Sequence, residues 1–183
     1  MKRFAFVALG IGMYVMAYGG AEPMPISRSF DQQLKMIESE LVPLAEAMPA
    51  DKYSFAPTPG EFAGVRTFGQ QVSHVAAVIY LCAAAVLGEP VPKEAGEGEN
   101  GPATLKTKDD IVKYLKAAMV YGHKAMTSVT EQNVMQMIKS PFGDGQVPRL
   151  SMATAPVWHS FDHYGQMVVY ARMNGVVPPA SRK

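Results

Sequence analysis

The stretch TFGQQVSHVAAVIYLCAAAVL, residues 67–87, decides the fold. It reads as one helix from about Thr67 to Leu87. From Val75 onward it is apolar on nearly every side, and a helix of that kind lies at the centre of a bundle. Gly88 and Pro90 end it. Cys82, the single cysteine, sits inside this run and has no second thiol to pair with. It reads as a small buried hydrophobe, not a catalytic thiol.

Working outward, the preceding segment carries Phe30, Leu34, Ile37, Leu41 and Leu44 at steps of four and three, the stripe of an amphipathic helix. Ser27 or Ser29 is expected to cap it. Pro43 lacks an amide donor and is expected to kink or end it, with Met48–Pro49 closing the segment. Residues 50–66 read as a packed loop, punctuated by Pro57, Pro59, Gly60 and Gly64 and anchored by Tyr53, Phe55 and Phe62. On the other side, residues 89–102 are rich in Gly, Pro and Glu and read as an exposed connection. A third helix starts at Thr107, a good N-cap with Asp109 and Asp110 in its first turn. Its buried stripe is Ile111, Leu115, Ala118, Gly122, Ala125 and Val129. Residues 131–139 fit a short helix or a loop, and 142–145 a turn. The last helix is expected over about Ala153–Asn174, with Pro156 in its first turn and Gly175 as the stop. No segment shows strand alternation, and there is no internal repeat and no Gly-rich phosphate loop. The expectation is an all-α domain, a four-helix bundle, with the long 88–106 connection serving as a crossover.

The bulk numbers agree with one globular domain. The chain has 183 residues, 48% of them apolar and 18% charged, enough for a single core. Lys2 and Arg3, the apolar stretch Phe4–Tyr18 and the small residues Gly19, Gly20 and Ala21 form a signal-peptide pattern. Residues 1–21 are therefore expected to be a leader, with 22–183 exported to the periplasm or beyond. Without Lys2 and Arg3 the formal net charge falls from +1 to −1. A near-neutral body gives no footprint for nucleic acid or for an anionic membrane surface.

Chemistry concentrates in the histidines, of which there are four. His159 and His163 stand four apart on the last helix, so their rings point about the same way, one turn apart. They share a stripe with Asp162, Gln166 and Tyr170 on an otherwise apolar helix. Thr67, Gln70, Gln71 and His74 form a matching stripe on the central helix. If the stripes face each other, His74 becomes a third nitrogen, and three histidines leave a metal ion open positions for catalysis. The same spacing also fits hydrogen-bonded core histidines or a solvated face. Asp162 is a candidate to orient a ligand imidazole and assist proton movement, and Tyr170 a candidate acid or substrate donor. His123 has no partner at ligand spacing and reads as a surface or packing residue. The scattered methionines read as core filler.

The run WHSFDHYGQMVVY, residues 158–170, continuing as RMNGVVPP at 172–179, resembles the C-terminal helix of the DinB-like (YfiT-type) family. PTPGEF at 57–62 and TFGQQVSHV at 67–75 resemble that family's entry to its second helix. The resemblance implies a four-helix bundle with one divalent metal ion, zinc or nickel, on His74, His159 and His163. It implies no polymerase chemistry, despite the shared name. Some relatives use the metal to activate a low-molecular-weight thiol for transfer or isomerisation. An export signal sets this chain apart from most of them, and cytoplasmic thiol cofactors are scarce outside the membrane. The expected function is a metal-dependent hydrolase or thiol transferase acting on a small molecule, with a non-catalytic metal-binding or stress-response protein as the alternative. Bundles of this kind often pair, so a homodimer is expected.

Overall fold

In the central helix, Thr67 accepts from the Gln70 amide while the Gln70 side chain accepts from the Thr67 amide, a reciprocal cap. The computed structural model describes residues 23–58 and 60–182; the expected leader, 1–21, lies outside them. The helices are α1 (Ile26–Ala47), α2 (Phe68–Leu87), α3 (Lys108–Thr127) and α4 (Arg149–Met173). Buried residues cover nearly all of α2. Its length and apolarity match a membrane span, but here that surface is taken up by the bundle.

The helices form a ring in which α2 and α1 each pack against both α3 and α4, leaving α1 and α2 on one diagonal. Side-chain pairings fix their directions. Gly69 of α2 lies by Ile111 of α3, and Glu89, just past α2, pairs with Lys124 near the end of α3, so these neighbours are parallel. Lys116 of α3 pairs with Glu46 of α1 and His123 with Asp31, so α3 runs against α1. Gln71 meets Gln166, and Tyr170 reaches Arg66, so α4 runs against α2. A parallel pair of adjacent helices requires a connection that returns the helix length, about 30 Å for 20 residues. The 88–107 segment is that return, as its length led us to expect.

The return connection is mostly exposed, as its composition implied, but it is tied down at one point. Ala95 is buried, and its carbonyl accepts from the Tyr114 hydroxyl at 2.7 Å. Gly96 has φ +75°, and a Cβ there would stand 2.6 Å from the Pro102 nitrogen, so only glycine fits. In the 48–67 loop Tyr53 is buried and donates to the Ala45 carbonyl at 2.6 Å, and Phe55 packs on Tyr170. Phe62, expected as a third anchor, is exposed.

Four local expectations are corrected. Neither Ser27 nor Ser29 caps α1; Pro25 is its N-cap, and Glu131 accepts from the Ile26 amide. Pro43 does not end α1, which runs to Ala47 with Leu44 and Ala45 buried beyond the proline. Residues 137–139 and 146–148 form a two-stranded antiparallel hairpin, β1 and β2, pairing Ile138 with Val147 across the 142–145 turn. Three-residue strands are too short to show alternation. Finally, α4 starts at Arg149, so Pro156 is interior. The amides of Arg149 and Leu150 donate to the Gln136 and Val134 carbonyls, which supplies partners that a bare helix start lacks.

Candidate metal centre

His74 sits two turns into α2 on the face turned to α4, among Val75, Ala76 and Val78 of the core. His159 and His163 project from consecutive turns of α4, as their spacing of four dictates. The three rings converge: centroid separations are 5.0 Å for His74–His159, 4.8 Å for His74–His163 and 4.5 Å for His159–His163. One nitrogen from each lies within 4.8 Å of the others. His74 and His163 are buried, at 4% and 8% exposure, and His159 is half-buried.

Each outer nitrogen tells which lone pair is free. His74 Nδ1 lies 2.6 Å from the Glu99 carbonyl oxygen, so it carries the proton and Nε2 is the free acceptor. The return connection delivers that carbonyl. His163 Nδ1 donates to Gln71 Oε1, which frees its Nε2. Gln71 in turn donates to Gln166 Oε1 at 3.0 Å, and Gln166 donates to Asp162 Oδ2 at 3.1 Å. Histidine ligands are commonly held by such partners, which fix tautomer and ring orientation. His159 differs: its Nε2 stands 3.2 Å from His74 Nε2, and its outer nitrogen, Nδ1, is buried with no partner among the described residues. With His74 Nε2 already an acceptor, two inward nitrogens this close need a proton or a cation between them. A divalent cation held by three neutral imidazoles fits this donor set.

The electrostatics favour neutral rings. Burial, followed by the neighbouring imidazoles and Arg66, holds His159 and His163 down to about 4, with Asp162 opposing. Burial likewise lowers His74, against the pull of the Glu99 carbonyl. Neutral imidazole is the metal-binding form, so the rings are available without first losing protons.

His163 opens onto a cavity of about 800 Å³ that Arg66, Gln70, Gln71, Asn100 and Gln166 also line. Asp162 is exposed and is joined to the histidines through the two glutamines, with no direct hydrogen bond to an imidazole. The Tyr170 hydroxyl is turned to the Arg66 carbonyl at 3.3 Å. His123 is elsewhere, bridging α3 to α1 through Asp31 at 2.6 Å and Glu38 at 3.0 Å. Sequence reasoning missed Glu99, Asn100 and Arg66. The first acts through its backbone; Asn100 lies in the return connection. A lone arginine just before the central helix was the one available signal.

A match to the DinB superfamily covers residues 33–167. No curated protein matches the sequence. Solved structures share the fold. A DinB-like protein from Bacillus cereus aligns with a TM-score of 0.65 at 18% identity, over 83% of this chain and 95% of that one. One from Bacillus subtilis gives 0.63 at 18%, over 80% and 92%. A conserved protein from Enterococcus faecalis gives 0.64 at 15%, over 82% and 98%. With most of its four-helix body inside that match, the chain belongs to the DinB superfamily.

Proposed function

We propose that the protein is a metal-dependent enzyme that acts outside the cytoplasmic membrane on a small molecule. His74, His159 and His163 hold one divalent ion, zinc or nickel. The observation that carries this reading is the convergence of three neutral imidazoles, with the Nε2 atoms of His74 and His159 3.2 Å apart, beside an open cavity. Bound there, the ion supplies Lewis acidity and lowers the pKa of a water or thiol at its open position.

The protein's own groups do the rest. Glu99 and Gln71 hold the rings of His74 and His163, fixing which nitrogen each presents. The Gln71–Gln166–Asp162 chain ends in an exposed carboxylate, the candidate to take a proton relayed from the histidines. Tyr170, with its hydroxyl on the Arg66 carbonyl, holds the loop ahead of α2 against α4. Hydrolysis and thiol transfer both fit these parts.

The test is a screen of ester, amide and thiol-transfer substrates with protein stripped by chelator and reloaded with zinc or nickel. Turnover that vanishes on stripping and returns on reloading is expected. A turnover indifferent to stripping would contradict the reading.

A further inference from the structure

We propose that the cavity beside the histidines binds a small organic carboxylate, with Arg66 as the residue that takes its negative charge. Arg66 is half-buried and is the charged side chain of the cavity lining. Its Nε and Nη2 lie 3.4 and 3.2 Å from Asn100 Oδ1, a neutral acceptor. Among the described residues no carboxylate pairs with it. A guanidinium has five donors in a fixed fork, so edges of this one remain for a ligand. It is also held in place: Tyr170 grips its backbone carbonyl, and Asn100 steadies its head.

Charge balance points the same way. Three neutral imidazoles cancel none of the charge of a divalent ion, and neither Asp162 nor Glu99 lines the cavity. Arg66 adds a further positive charge, while Gln70, Gln71 and Gln166 contribute neutral amides. A cavity so lined selects an anion. A single planar fork matches a carboxylate, which carries one charge and two coplanar oxygens. A phosphate ester is the poorer match, because the lining offers no lysine and no Gly-rich cradle. About 800 Å³ suits a small organic molecule. The site rests on the metal reading only for the ligand's other end, where a thiol or activated water meets the ion.

The experiment has two arms. In the metal-free protein, modification of Arg66 by phenylglyoxal is followed by mass spectrometry with propionate, propionamide or methyl phosphate present. Propionate is expected to slow it several-fold, and propionamide not at all. Equal protection by acid and amide, no protection by either, or stronger protection by methyl phosphate would overturn the proposal. In the metal-loaded protein, calorimetry compares 3-mercaptopropionate with 3-mercaptopropanol. The acid is expected to bind about ten-fold tighter or more, the worth of a charge-assisted hydrogen bond. Arg66→Gln should erase that preference with metal content unchanged, and Arg66→Lys should restore part of it. A preference that survives Arg66→Gln would overturn the proposal. Protection of Arg66 in a protein that takes up no metal would leave the carboxylate site standing and remove the metal reading alone.

Discussion

His159 and His163 are held to about 4 by burial and then by neighbouring imidazoles, His163 and His74 for the first and His74 for the second, while His74 is lowered by burial. The unfolded chain takes up these protons near pH 6.5, where the folded metal-free protein does not. Their contribution is therefore present above about 6.5 and is lost as the pH falls toward 4. His123 has the opposite sign. Burial opposes its charge, but hydrogen bonds to Glu38 and Asp31 outweigh that and raise it. Its contribution is present below 6.5 and fades as pH rises through its raised value. Thermal melts of metal-free protein between pH 7 and 4 should show a steeper loss for the wild type than for His159→Ala/His163→Ala. Parallel curves would contradict buried neutral imidazoles. At this scale the sequence was legible where ligands share a helix face, as His159 and His163 do. It was illegible for the His123 clamp, because Asp31 and Glu38 become partners only once α1 packs beside α3.

The central helix was readable because its apolar surface is continuous, and α3 because Thr107 and Asp110 form a reciprocal cap. The start of α4 was not readable. The Val134 and Gln136 carbonyls that complete its first turn come from a segment with no sequence pattern of its own. Pro43 does not end α1 for a related reason. Loss of one amide is tolerated when Leu41, Leu44 and Ala45 are fully buried around it. Elements pack closely at Gly122 of α3, where a Cβ would stand 2.9 Å from Leu34 Cδ2 and 3.1 Å from Ile79 Cγ2. Gly122→Val should therefore lower stability by about 2 kcal/mol or more through overpacking, as measured by urea unfolding. A neutral or stabilising result would mean that α1, α2 and α3 approach less closely than described.

Across the whole molecule, the return connection links fold to site. Because α2 and α3 are parallel, the chain must travel back along the bundle after Gly88. That path sets the Glu99 carbonyl on His74 and Asn100 on Arg66. The crossover was legible from the length of the 88–106 segment. Its contribution to the site was not, since a backbone carbonyl has no residue type to betray it. The bundle thus brings α2, α4 and one long connection to a single pole where three imidazoles meet. The most direct test of that centre is elemental analysis of natively purified protein beside the His159→Ala/His163→Ala variant, each checked for helical content. About one equivalent of a divalent metal in the wild type and little in the folded variant is expected for a three-histidine site. Metal absent from both, even after incubation with zinc and nickel, would contradict it.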